Sequence, residues 1–350
     1  MMSSTPNAVD SLLHILCRIG YSFGQHWLKG KGMKMGTVRR VSVLLCCLFA
    51  APAWADALQS GDGFANVPGG PVWYRVVGSG DGKPLMVLHG GPGGTSCGYS
   101  RLDPLGSDRP IIRYDQLGTG RSGRPDDDSL WRTEHFVERL HALRTSLGLD
   151  DFHLMGHSWG GALAAAYVLE KGTEGIASVV LSSPLLSTSM WIEDANFLRS
   201  QMPQDIQDVL DEHEVAGTID SEEYQAASDE FYRRHVYGGD RVPAPENCEG
   251  VIGSSMIYNF MWGPTEFRAT GNLLDFDVTD RLGDIDVPVL LVAGEHDEAR
   301  PERMAQFQQL IPGAELVIIK DAAHGTLSRQ PEVYRQVLAK FFDRVEAPNE

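Results

Sequence analysis

The segment Gly156-His157-Ser158-Trp159-Gly160 is where this chain first points to chemistry. It is a G-x-S-x-G whose serine stands between an apolar run at 152–155 and a helix-forming stretch from Gly160. That context holds the serine on a strained strand-to-helix turn, with its hydroxyl exposed above a sheet and the two glycines leaving room for a tight crossing. A serine hydroxyl is a weak nucleophile at neutral pH, so a base and an orienting acid should accompany it. Both follow in the order Ser, Asp, His: Asp297 in GEHDE (294–298) after an apolar run, and His324 in DAAHG (321–325) after another. No other histidine has that placement; His296, beside the acid, has neighbours that favour a surface loop. The third requirement is a pair of backbone N–H donors for the developing oxyanion. HGGPGG (89–94) directly follows a further apolar run and is expected to supply one from Gly91, the other coming from Trp159, the residue after the nucleophile. The same loop could cradle a phosphate, but no Gly-Lys-Ser/Thr ending or downstream ribose-binding acid accompanies it.

These residues need a scaffold, and the rest of the chain supplies the pattern of one. Short apolar runs rich in β-branched residues at 84–89, 111–114, 152–155, 176–181, 287–292 and 315–319 read as buried parallel strands. Stretches at 133–147, 160–171, 303–310 and 331–345 carry apolar residues at helical spacing. This βα alternation predicts an α/β fold, a mostly parallel central sheet with helices on both faces. Residues 64–77 read as an antiparallel hairpin turning at Gly69-Gly70. The alternation breaks over 185–280, an acidic, aromatic-rich helical stretch with no buried strand, which is expected to be a cap inserted after the sixth core strand. The predicted division is therefore 56–184 for the first part of the core, 185–280 for the cap and 281–350 for the second part.

Residues 1–55 are set apart. From Met33 a basic stretch (Lys34, Arg39, Arg40), an apolar run at 41–50 and the small-residue site Ala53-Trp54-Ala55 form the three-part pattern of a secretory signal. The apolar run is too short to span a bilayer. The expectation is a signal at 33–55, a mature chain beginning at Asp56 in the periplasm or outside the cell with no membrane anchor, and residues 1–32 upstream of the real start. Cys17, Cys46 and Cys47 leave with that segment; Cys97 and Cys248 remain, too few for a disulfide framework or a zinc site, and one bond between them stays open.

With 30 Lys and Arg against 47 Asp and Glu, the 350-residue chain carries a net charge of −17. Such a field repels phosphate backbones and anionic lipid, which argues against a nucleic-acid partner. At 42% hydrophobic and 22% charged, the composition excludes disordered and collagen-like classes.

The set HGGPGG (89–94), YDQLGTGRS (114–122), GHSWGG (156–161), GPTEF (263–267), GEHDE (294–298) and DAAH (321–324) resembles the proline iminopeptidase family, especially its tricorn-interacting aminopeptidase branch, over nearly all of 64–346. The resemblance implies an α/β-hydrolase fold. It further implies that Glu266 and Glu298 hold the free N-terminal amine of a substrate and that Tyr258 contacts the same end. Two carboxylates near a mouth attract an ammonium, although charged loop residues are more often simply solvated surface.

The function expected is a serine aminopeptidase releasing an N-terminal residue, preferentially proline, from a small peptide or amino-acid amide through an acyl-enzyme. The roles fall to Ser158, His324 and Asp297, with Gly91 and Trp159 at the oxyanion, and the mechanism calls for no metal or cofactor. An amidase, esterase or lactonase would use the same machinery, and an inactive binding protein of this fold would have no use for all of it together. A serine nucleophile excludes the aspartate-nucleophile epoxide hydrolases and dehalogenases.

Overall fold

The computed structural model describes residues 58–348; the expected signal segment, the upstream extension and the cleavage point before Asp56 lie outside them. Eight strands form one sheet: β1 (Gly61–Val67), β2 (Gly70–Val77), β3 (Leu85–Leu88), β4 (Ile111–Tyr114), β5 (Phe152–His157), β6 (Ile176–Ser182), β7 (Val289–Gly294) and β8 (Glu315–Ile319). Their spatial order is β1-β2-β4-β3-β5-β6-β7-β8. The hairpin β1–β2 joins β4 antiparallel, and every pairing from β4 to β8 is parallel. Strand β7 starts two residues later than the apolar run suggested, after Pro288, which has no N–H to give to a ladder.

Successive side chains of the central strands enter opposite faces, as the strand period of two requires. Met86, Leu88 and Leu181 join one apolar cluster, while Leu85, Val87 and Val180 join another. Helices α1 (Thr133–Ser146), α2 (Trp159–Lys171) and α7 (Pro301–Leu310) cover the first face; α8 (Pro331–Glu346) covers the second with Tyr334, Leu338, Phe341 and Phe342. Helix α7 begins at Pro301, earlier than its apolar spacing indicated, because proline is well suited to the first helical position.

The chain between β6 and β7 is helical. Helices α3 (Thr188–Ser200), α4 (Gln204–Ala216) and α5 (Glu222–Phe231) pack on a small core of their own around Leu210, Tyr224, Phe231 and Phe267. A π-helical turn, Tyr232–Val236, continues α5, and α6 (Ser255–Met261) returns the chain toward the sheet. Among the described residues the only pairings outside the sheet are the isolated bridges Ser187–Asp277 and Thr265–Arg268, so the stretch builds no strand. Cys97 and Cys248 are joined in a disulfide, which closes the question their spacing left open.

Candidate active site

Ser158 stands between β5 and α2 with φ 56° and ψ −122°, one of three non-glycine residues with positive φ among those described. The turn leaves no room for side chains beside it. A Cβ on Gly156 would lie 2.0 Å from the Gly160 carbonyl oxygen, and one on Gly160 would lie 2.2 Å from that of Leu88. The Ser158 N–H donates to the Ser182 carbonyl at 2.9 Å, tying the strained residue to the neighbouring strand.

Asp297 and His324 emerge from the loops after β7 and β8. The imidazole Nδ1 donates to Asp297 Oδ1 at 2.9 Å. The same oxygen accepts from the Ala299 N–H at 2.9 Å, while Oδ2 accepts from Ser183 Oγ at 2.6 Å and the Gly294 N–H at 3.1 Å. Burial pushes this carboxyl up, but the charge of His324 and these hydrogen bonds prevail and hold it below its ordinary value. Asp297 is therefore an anion in a dry place, suited to orient an imidazole and stabilise its protonated form. Nε2 of His324 makes no hydrogen bond among the described residues, and no bond joins it to Ser158; such contacts are commonly loose before substrate binds.

The glycine loop after β3 is held from several sides. Gln116 bonds His89 twice, through its backbone N–H to Nε2 at 3.0 Å and through its side-chain amide to the carbonyl at 2.9 Å. Its Oε1 accepts from the Trp159 indole at 3.0 Å. The Gly90 N–H is engaged by Tyr99 Oη at 3.2 Å. Tyr99 Oη lies 2.9 Å from His157 Nδ1, and His157 Nε2 lies 3.0 Å from the His324 carbonyl. Those partners assign the proton of His157 to Nε2. Burial, then the charge of His324, lowers its pKa to about 3, so this ring is neutral. The N–H groups of Gly91 and Trp159 have no partner among the described residues, and the Trp159 amide opens a helix, where N–H groups are unpaired and carry partial positive charge.

Gly91, Ser158, Trp159, Tyr258 and Glu266 line one small pocket, whose apolar walls include Trp191 and Trp262. Tyr258 Oη donates to Glu266 Oε1 at 2.8 Å. Glu298 is 1% exposed, and neither of its carboxylate oxygens has a hydrogen-bond partner among the described residues. Its Oε1 lies 3.7 Å from His324 Nε2. Burial, then the charges of Glu266 and Asp297, raises the Glu298 pKa well above the usual carboxylate range; burial also raises that of Glu266. The reading of these two acids as solvated surface does not hold, since one is fully buried and the other half-buried.

All eight residues singled out from the sequence thus lie at the carboxyl ends of the strands or on the cap segment above them, where open α/β sheets place their ligands. Sequence reasoning passed over several supporting groups. Ser183 has φ 44° and fixes Asp297; its signal was a Ser-Ser-Pro turn directly after a predicted strand. Tyr232 Oη accepts from the Glu266 N–H at 3.4 Å, and Trp191 stacks edge-on to His324 at 5.5 Å between centroids. Nothing local marked either among the cap aromatics. Among the described residues no cluster of His, Cys, Asp and Glu is placed to hold a metal ion. A hydroxyl on a strained turn, an imidazole braced by a buried carboxylate and two unpaired N–H groups are the parts from which acyl transfer is assembled.

The model of the alpha/beta hydrolase fold family matches residues 83–328. A proline iminopeptidase of Heyndrickxia coagulans is 41% identical over 286 residues, covering 81% of this chain and 99% of that protein. One from Clostridium botulinum is 37% identical over 277 residues, covering 78% and 94%. The crystal structure of the Mycobacterium smegmatis proline iminopeptidase, 34% identical, superposes with a TM-score of 0.73 over 81% of this chain and 98% of that one. The chain belongs to the proline iminopeptidase family of α/β-hydrolases.

Proposed function

We propose that this protein is an exported serine aminopeptidase that releases an N-terminal residue, preferentially proline, through an acyl-enzyme. Ser158 attacks the carbonyl of the first residue; His324 takes its proton and delivers it to the departing amine; Asp297 holds the imidazole in the required tautomer. Gly91 and Trp159 donate to the oxyanion. Glu266, Glu298 and Tyr258 bind the ammonium of the substrate. The observation that carries this reading is Glu298, a buried carboxyl with no hydrogen-bond partner described, facing a second acid beside the nucleophile. An unpaired buried carboxylate is costly, and an ammonium placed between the two acids offsets that cost. The pocket walls of Trp159, Trp191, Trp262 and Leu185 suit a small apolar ring such as that of proline. The disulfide supports export, because such bonds persist in oxidising compartments.

A panel of proline arylamide, its N-acetylated form and a simple aryl ester tests the reading. Efficient cleavage of the free-amine arylamide, poor cleavage of the blocked one and loss of several orders of magnitude in turnover for Ser158→Ala are expected. Equal cleavage of free and blocked arylamides, or faster ester than amide turnover with no amine preference, would overturn it in favour of an esterase. Export predicts that the protein recovered from its host begins at Asp56.

A further inference from the structure

A second cavity, of about 280 Å³, borders His324 and is used by none of the roles above. Gly98 and Arg101 form its wall on the core side, and Arg241 and Pro245 belong to the wall formed by the inserted region. The Cys97–Cys248 disulfide fastens the two walls together at their neighbouring residues. Arg101 reinforces the seam, its Nη2 donating to the Pro243 carbonyl at 2.7 Å and its Nη1 to that of Gly98 at 3.3 Å.

Both acceptors are neutral, so the charge of Arg101 is not cancelled by them. The Arg241 guanidinium lies 5.5 Å from the centre of the Tyr237 ring and is otherwise exposed. Neither arginine forms an ion pair among the described residues, in a chain whose acids outnumber its bases 47 to 30. Two cations without a carboxylate therefore share one cavity with the imidazole that returns a proton to the leaving amine. A leaving amine that takes its proton from that imidazole must start its departure beside it. Just below the usual range for small-ligand pockets, about 300–1,000 Å³, the cavity suits a residue or two rather than a long peptide.

We propose that Arg101 and Arg241 form a carboxylate-binding subsite for the departing part of the substrate, which makes free di- and tripeptides with an intact C-terminal carboxylate the preferred class. The site is then dipolar, with acids at the ammonium end and guanidinium groups at the carboxylate end, matched to a short zwitterionic peptide. Guanidinium and carboxylate meet in charge-assisted, two-pronged hydrogen bonds, which amides do not reproduce. The inference rests on the aminopeptidase reading given above.

The experiment compares prolyl-alanine, prolyl-alanine amide and proline arylamide on the full enzyme, on Arg241→Gln and on Arg101→Lys. The wild type should favour the dipeptide acid over its amide by about tenfold or more in kcat/KM. Arg241→Gln, at an exposed side chain, should lose most of that preference through a higher KM for the acid, with the amide and arylamide little affected. Arg101→Lys should keep part of it, since charge remains and the fork is lost. Equal wild-type cleavage of acid and amide, or a parallel fall on all three substrates in Arg241→Gln, overturns this inference alone. Failure of the wild type on all three overturns the aminopeptidase reading and this inference with it.

Discussion

Glu298 concentrates the conflict between stability and function at the scale of a single residue. Its folded pKa is raised above the ordinary 4.5 by burial and by neighbouring carboxylates. Between 4.5 and that raised value the folded chain holds a proton that the unfolded chain has released, so the stability linked to this group is fully present below the window and is lost as pH rises through it. Glu298→Gln removes the titration. It should raise the thermal midpoint at neutral pH while lowering kcat/KM on free-amine substrates by about ten- to a hundred-fold, the equivalent of a lost charge-assisted hydrogen bond of ~1.5–3 kcal/mol. Calorimetry beside kinetics on an amine and an ester checks both halves; a variant that is less stable, or equally impaired on both substrates, contradicts the assignment. The wild-type KM for the amine should also rise as pH falls, since a protonated acid binds an ammonium poorly, and Glu298→Gln should flatten that profile.

Among the elements, the stretch between the disulfide and α6 decides where Tyr258 stands. After Cys248 the chain passes over the core, its Ile252 carbonyl accepting from the Gly120 N–H at 2.9 Å and its Ser254 N–H donating to the Gly93 carbonyl at 2.7 Å. Ser254 then caps α6 through its hydroxyl, and Tyr258 follows on that helix. The strap thus leans on the glycine loop after β3, and the disulfide anchors its far end to the stretch Cys97–Ser107. Replacing both cysteines by serine should cost about 2–5 kcal/mol of stability. It should also raise KM for amine substrates more than it changes kcat, because the strap positions Tyr258 rather than the nucleophile. Denaturant unfolding and kinetics with and without reductant read the effect; identical midpoints would show that the bond constrains nothing.

The whole molecule contributes its field. A net charge of −17 draws an ammonium toward a mouth that already holds two acids, and salt screens that attraction over distances beyond about 8–10 Å. KM for a cationic prolyl arylamide should therefore rise as ionic strength is raised from 20 to roughly 500 mM, a range in which the Debye length shrinks severalfold. An uncharged aryl ester should show little change. A flat response for both would assign recognition to short-range contacts alone. At this scale the sheet also accounts for the convergence of distant segments, since β3, β5, β6, β7 and β8 are parallel and all end at the same edge.

What could be read from the amino acids alone was whatever depends on neighbours in the chain. The Gly-x-Ser-x-Gly turn is a local steric demand, met by glycines whose Cβ atoms would strike backbone at 2.0 and 2.2 Å. The strand runs follow from local apolar pattern, which located every parallel strand, with β7 shifted two residues along the chain, starting after Pro288 and running to Gly294. The order of Ser158, Asp297 and His324 follows from motif and strand ends. Tertiary structure decided what depends on segments far apart in sequence. It buried Glu298 beneath the turn Tyr232–Val236, to whose His235 carbonyl its N–H is bonded at 3.2 Å. It gave Asp297 the Ser183 hydroxyl, paired Cys97 with Cys248, and brought Arg101 and Arg241 to one cavity beside His324. Periodicity reports which face of an element is apolar, but the burial of a charge is set by what another part of the chain lays over it, and that is settled only when the inserted region closes on the sheet.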